Sequence, residues 1–197
     1  LIEAIKSDND EMVETLYSFG VDLNEPNLDK DHPGMTALIL AIVNNKPEIA
    51  KQILDKDGVD VNIQGKHGYT ALMLAIIKKQ PEIATKILDR DDVYVNLKDQ
   101  HGITALMAAI AKKQPEIAMK ILDKDGVDVN LQSKRGVTAL MVAIDNNQPE
   151  IATQILDKDG VDINIQQSEG YTALMVAISR KLPKVAKKIL KIPSINV

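Results

Sequence analysis

The side chains best suited to chemistry are acidic. Asp55-Lys56-Asp57-Gly58-Val59-Asp60-Val61-Asn62 spaces three carboxylates around a glycine, as a calcium loop does. An EF-hand loop places ligands at positions 1, 3 and 5, glycine at 6 and a bidentate Glu at 12. Counted from Asp55, glycine falls at position 4 and position 12 is Lys66. In the third copy of the run, Asp92 replaces the glycine and Tyr94 the third carboxylate. A helix C-terminus closed by a left-handed glycine, followed by a polar loop, fits better. Imidazole offers a second metal chemistry. His67 and His101 share one column of a repeat, and His32 lies one position off it. Packed helices lie about 10 Å apart, whereas a zinc–nitrogen bond needs about 2.1 Å. The histidines therefore read as solvated surface, and no metal is expected. Met73, Met107, Met141 and Met175 form a further column. A Met-rich groove can bind promiscuously, but at a packing position methionine fills gaps in a core, which is the reading preferred here. The chain lacks the nucleophile elbow, phosphate loop, zinc-protease and dinucleotide motifs. The acids of one copy recur in the others, as scaffold residues do, so no catalytic pair, no enzyme activity and no cofactor are expected.

The elements that hold these residues repeat. Gly34, Gly68, Gly102, Gly136 and Gly170 are 34 residues apart. Thr36, Thr70, Thr104, Thr138 and Thr172 keep that step, as do Pro47, Pro81, Pro115, Pro149 and Pro183. The unit GYTALMLAIIKKQPEIATKILDRDDVYVNLKDQH is followed by GITALMAAIAKKQPEIAMKILDKDGVDVNLQSKR, with most positions identical. Residues 1–33 are a degenerate copy, in which Ala4, Ile5 and Glu11 match Ala41, Ile42 and Glu48.

Each unit predicts two short helices. Leu72, Ala75 and Ile76 fall at i, i+3 and i+4, with Thr70 at the N-cap. Ile83, Ala84, Ile87 and Leu88 form a second stripe. Pro81 sits at the first helical position and Glu82 at the positive helix end. Helices of two or three turns are marginal alone, so each unit must bury its stripes against its neighbours. Composition agrees. One Phe, no Trp and four Tyr leave the core to Leu, Ile, Val, Ala and Met. These small aliphatic side chains suit thin helical layers. A net charge of −4 argues against a generic nucleic-acid binder. No Cys is present, so neither a disulfide framework nor a thiolate metal site can form. No apolar run is long enough to span a bilayer, and no signal peptide is visible.

On these residues the chain resembles the ankyrin-repeat family. That family repeats G-x-T, a first helix opening T-P-L-H-x-A, a second helix with E-I-V and L-L, then G-A-D-V-N. Gly68, Thr70, Leu72, Ala75, Glu82, Ile83, Ala84, Ile87 and Leu88 match, and Gly126, Asp128, Val129 and Asn130 match the ending. The resemblance covers the whole chain. It implies an all-α ankyrin-repeat solenoid of stacked helix-turn-helix units with protruding finger loops. A single domain over 1–197 is expected, with repeats at about 1–33, 34–67, 68–101, 102–135, 136–169 and 170–197. Departures are regular. Ala37, Ala71, Ala105, Ala139 and Ala173 replace the family's Pro, and Ile39, Met73, Met107, Met141 and Met175 replace its His. The hydrogen bonds that His organises must be absent or different. Lys-Gln-Pro or a similar triplet replaces Gly-His between the helices. The period exceeds the usual 33 by one. The extra residue falls after the second helix, which is either longer or closed by a wider turn. The first finger, with Pro26 and Pro33, is longer than the others.

The resemblance implies binding of another protein through finger tips and the exposed side of the first helix, on the concave face. Those columns differ between copies while the framework does not. They supply the candidate partner-binding residues: Lys66, His67, Tyr69, Lys78, His101, Ile103, Lys112, Lys134, Arg135, Val137, Tyr171 and Arg180. The lysines and arginines make this face locally basic, so a partner with an acidic segment is expected. Tyr69 and Tyr171 would be its aromatic anchors. Neither nucleic acid nor membrane is expected as a partner, and the chain is expected to be monomeric. Cytoplasmic residence is expected, in a host cytosol if the source is an intracellular bacterium, for which Lys/Ile/Asp/Asn-rich usage is a compositional hint. A second function class is the targeting or substrate-recruiting arm of a larger enzyme or effector. It rests on a start at Leu1 and an end on the approach to another finger, as in a fragment. A designed consensus array is a third, though the second-helix Pro and the 34-residue period depart from the family consensus.

Overall fold

Thr70 has extended backbone, and its hydroxyl accepts a hydrogen bond from Met73 N–H at 3.2 Å. Thr36, Thr104, Thr138 and Thr172 cap their helices in the same way, satisfying an orphan N–H of the first turn. Eleven residues beyond each Thr a proline opens the second helix at a position that needs no N–H donor.

This computed structural model describes residues 1–26 and 34–195. His32 and Pro33 of the first finger, and the last two residues, lie outside the described residues. Among the described residues there are twelve α-helices and no strand element. The chain divides into two compact units, 1–100 and 101–197. The first unit holds α1 (Ile2–Lys6), α2 (Asp10–Ser18), α3 (Ala37–Val43), α4 (Pro47–Leu54), α5 (Ala71–Ile77) and α6 (Pro81–Leu88). The second holds α7 (Ala105–Ala111), α8 (Pro115–Leu122), α9 (Ala139–Asp145), α10 (Pro149–Leu156), α11 (Ala173–Ser179) and α12 (Pro183–Ile189). In each unit, three antiparallel helix pairs stack inner helix on inner helix and outer on outer. Both stripes read from the sequence are buried: Leu72, Ala75 and Ile76 on α5, and Ile83, Ala84, Ile87 and Leu88 on α6. Met73, Met107 and Met141 are buried core, whereas Met175 is half exposed.

The turn between the two helices has a strained residue. Asn45, Lys79, Lys113, Asn147 and Lys181 all have φ near +55°. Lys79 N–H donates to Ile76 C=O and Gln80 N–H to Ala75 C=O, which closes α5 as a Schellman motif. The next residue then turns inward. Buried Gln80 Nε2 donates to Ile42 C=O and Asn45 Oδ1, both at 3.0 Å, and Gln148 Nε2 donates to Ile110 C=O at 2.7 Å. These glutamines stitch neighbouring pairs at the turn between the two helices.

The outer-helix ends differ from the sequence expectation. Gly58 is left-handed, but it lies three residues past the C-cap Asp55 and does not close α4. Gly20 does close α2, in a Schellman pattern through Gly20 N–H to Tyr17 C=O and Val21 N–H to Leu16 C=O. The extra residue of the 34-residue period therefore widens this turn and does not lengthen the helix.

Within each unit, the Asn that ends a copy joins one pair to the next. Asn62 Nδ2 donates to Asp92 C=O at 2.8 Å, and its Oδ1 accepts from Tyr94 N–H at 2.7 Å. Asn130 does the same with Gly160 C=O and Asp162 N–H, both at 2.8 Å. Two backbone groups are thus satisfied by one side chain, which also fixes the spacing of consecutive turns. Asn130→Ala is expected to lower stability in urea unfolding by about 0.5–1.5 kcal/mol, the net worth of an ordinary hydrogen bond, because the backbone partners it leaves are exposed to water. Asn130→Asp, which keeps the acceptor, is expected to lose less. Equal stability of all three forms would mean that water replaces the bridge without loss.

Candidate partner-binding surface

The fingers are held by backbone contact. Gln100 N–H donates to His67 C=O at 2.7 Å in the first unit. In the second, Lys134 N–H donates to His101 C=O and Ser168 N–H to Arg135 C=O, both at 2.8 Å. The residue just before Gly68, Gly102 and Gly136 thus carries the acceptor, and its own side chain is exposed.

In the first unit Lys66, His67 and Lys78 are exposed and Tyr69 is half-buried. His67 is left-handed (φ 65°), and its Nδ1 lies 2.8 Å from Gln100 Oε1. That bond is a surface tie between fingers. Half-buried Leu74 and Ile77 continue the apolar line from Tyr69 along α5. In the second unit His101, Lys112, Lys134 and Arg135 are exposed, Ile103 and Val137 are half-buried, and Tyr171 is 46% exposed. Arg135, Val137, Val142, Asp145, Val176 and Arg180 line part of an open cleft of about 450 Å³. Its floor is aliphatic and its rims are ion pairs. Arg180 Nε donates to Asp145 Oδ1 at 2.8 Å, and Arg135 stands 3.7 Å from Glu169. Both arginines thus spend part of their charge on a neighbouring carboxylate, leaving Lys112 and Lys134 as exposed cations of this face. Leu74, Val142 and Val176 were not among the residues singled out from sequence. The signal was available, because the position after Met73, Met141 and Met175 varies between copies as the exposed columns do.

The outer helices carry a different electrostatic pattern. Lys51 Nζ lies 2.8 Å from Glu82 and 3.1 Å from Glu48. Its bond to Glu82, then that to Glu48, raises the Lys51 pKa, and Lys51 lowers that of Glu82. Lys86 reaches back to Asp55 and Lys188 to Asp157, both at 2.6 Å. Acids on this side are therefore partly engaged in joining consecutive pairs. Among the described residues no cluster of three metal-ligating side chains occurs, and no helix is long and apolar enough to cross a membrane.

Several solved structures share this fold. An ankyrin repeat domain from Acinetobacter baumannii AYE superposes with a TM-score of 0.81 at 24% identity, over 96% of this chain and 95% of that one. The ankyrin repeat protein EF0377 gives 0.76 at 24% identity, over 96% and 95%. The ankyrin repeat domain of Bcl-3, a member of the IkappaB protein family, gives 0.75 at 23% identity, over 96% and 84%. No curated protein sequence matches this chain. The family described as ankyrin repeats (3 copies) matches residues 1–99 and 106–197. The fold of that family is generally a protein–protein interaction module and typically non-catalytic. With paired helices, Thr caps and fingers in every full copy, and a family match over nearly its whole length, this chain belongs to the ankyrin-repeat family.

Proposed function

We propose that this chain is a protein-interaction scaffold that takes its partner on the finger tips and inner-helix faces, and that it works in the cytoplasm. One observation carries the reading. Framework columns repeat and are buried, whereas the columns of Tyr69, Ile103, Val137 and Tyr171 vary and stay partly open. Half-open apolar side chains ringed by cations are the composition of a binding patch with a charged rim. Lys66 and Lys78 supply that rim in the first unit, and Lys112 and Lys134 in the second. A partner segment rich in Asp or Glu, with an apolar side chain to set against the tyrosines, fits this chemistry. The same surface would serve a targeting or substrate-recruiting arm if the chain works within a larger enzyme or effector.

Capture from lysate with the intact chain, followed by mass spectrometry, supplies the partner for measurement. Lys78→Glu with Lys112→Glu is expected to weaken its binding about tenfold or more and to flatten the salt dependence, mainly through the association rate. Tyr69→Ala should act on dissociation instead, as hot-spot truncations do. Gln154→Glu adds an acid on exposed outer-helix ground and is the control. Equal loss in the control and none in the lysine pair would move the interface to the outer helices.

A further inference from the structure

The outer turn after α6 departs from the matching turns at three positions at once. Arg90 stands where the others have Lys56, Lys124 and Lys158. Asp92 replaces Gly58, Gly126 and Gly160, and Tyr94 replaces Asp60, Asp128 and Asp162. The first two changes fit each other. Arg90 Nε donates to Asp92 Oδ1 at 2.8 Å, and a terminal nitrogen donates to Asp92 Oδ2 at 2.6 Å. That nitrogen also donates to Val59 C=O of the preceding turn at 2.9 Å. The third change works against local structure. Asp60 Oδ1 accepts from Asn62 N–H at 2.8 Å, and Asp128 and Asp162 make the same bond at 2.9 Å. A tyrosine has no carboxylate for it. Burial does not offset the loss, because Tyr94 is 66% exposed.

The backbone beneath this ring is fixed. Tyr94 N–H donates to Asn62 Oδ1, Asn62 Nδ2 donates to Asp92 C=O, and the next residue, Val95, is buried. An aromatic ring in solvent on an anchored turn makes a contact at low ordering cost. Its surroundings are acidic. Residues 55–62 and 89–96 carry six aspartates against Lys56 and Arg90. Both cations are engaged, Arg90 by Asp92 and Lys56 by Glu14 at 2.7 Å. Asp57, Asp60 and Asp91 are exposed. The chain's own packing shows what such a surface holds. Lys56 Nζ, bonded to Glu14, lies 5.0 Å from the centre of the Tyr17 ring. One cation there takes an aromatic face and a carboxylate together.

We infer that Tyr94, with Asp60 and Asp91 on the same two outer turns, docks an arginine or lysine side chain from a basic segment of a partner protein. The ring face attracts the cation, and the carboxylates draw it in and hold its charge. This chemistry is the reverse of that proposed for the inner face. The two surfaces share no residue, so failure of either reading leaves the other standing.

NMR titration of the 197-residue chain at low salt tests it, with an acetylated and amidated Gly-Arg-Arg-Lys-Gly peptide as the probe. The same peptide with citrulline and norleucine in place of its cations is the comparison. The expected result is saturable binding with a Kd on the order of 1 mM, a weak contact on the affinity scale. Shifts should centre on the Tyr94 ring and the amides of 91–95, and the uncharged peptide should produce none there. Tyr94→Phe keeps the ring face and should bind as the parent does. Tyr94→Leu keeps apolar bulk without the ring and should bind about two- to fivefold more weakly, the worth of an exposed cation–π contact. Asp91→Asn should weaken binding and reduce its salt dependence. The spectrum of each variant reports its fold, and Tyr94→Asp, the residue of this column in the other copies, replaces Tyr94→Leu should that one misfold. Equal affinity of the Phe and ring-less variants overturns the inference and leaves only a diffuse acidic surface. Equal binding of the uncharged peptide, shifts centred away from residues 91–95, or no binding up to about 10 mM probe, beyond any useful contact, overturns it as well.

Discussion

Leu106→Ala is expected to lower the stability of this chain by about 2–5 kcal/mol, the range for truncating a buried leucine. Leu106 is the second residue of α7 and is 2% exposed. Its helix packs on α8 and α9 in the second unit. Truncation leaves a cavity whose walls are short helices pinned by Thr caps and the glutamine bonds, so collapse around it is limited. Ala108 and Ala109 on the same helix are too small to fill the gap. Leu174 occupies the same column in the last pair, where it is only half-buried. Leu174→Ala should therefore lose less than half as much. Urea unfolding of both variants measures the difference. Because a repeat touches mainly its neighbours, the Leu106 loss is also expected to broaden the transition or split it into two steps. An unchanged midpoint for Leu106→Ala, or equal losses at the two sites, would refute the packing described for α7.

Helix positions were legible because their signals are local. A Thr at the N-cap, a Pro at the first position and two stripes at helical spacing sit within one 34-residue copy, and each appears where expected. Burial of Met73, Met107 and Met141 was legible too, since their flanking positions are all apolar, whereas Met175 of the same column is half exposed. Bonds between copies were not. Gln80 acts on Ile42 and Asn62 on Asp92, and no local pattern reports a partner 30 or more residues away. The left-handed lysines were hidden for another reason. Lysine carries no intrinsic preference for φ > 0, and Lys79 and Lys113 adopt it because Schellman closure requires it there. The glycine after the outer helix misled in the opposite sense. A left-handed glycine near a helix end usually closes it, whereas Gly58 serves a separate turn after Asp55 has already done so. On the candidate surface, exposure followed the varying columns, but the partial neutralisation of Arg135 and Arg180 depends on carboxylates one copy away.

Gly136→Ala is expected to cost about 3 kcal/mol or more, and its counterpart one repeat later, Gly170→Ala, only about 1 kcal/mol. Both glycines are left-handed, at φ 74° and 84°. Any side chain there therefore meets the same backbone penalty. Their surroundings differ. A Cβ on Gly136 would lie 2.8 Å from Gln167 Cα and 3.0 Å from Gln166 O, in the backbone of the next finger. A Cβ on Gly170 would meet nothing within 4 Å. The next finger cannot retreat freely from Gly136, because Ser168 N–H is bonded to Arg135 C=O at 2.8 Å. Relief requires breaking that bond or shifting the loop, and either adds to the φ penalty. The pair thus separates the two causes: Gly170→Ala reports conformation alone, and Gly136→Ala reports conformation plus contact. Chemical unfolding gives the energies, and hydrogen exchange at the Ser168 amide gives the mechanism. Protection there should fall at least tenfold in Gly136→Ala beyond the change in global stability, and stay with global stability in Gly170→Ala. Equal losses at the two positions, with Ser168 protection tracking global stability in both, would mean that consecutive fingers separate without resistance and that the backbone contacts between them do not hold the candidate surface in place.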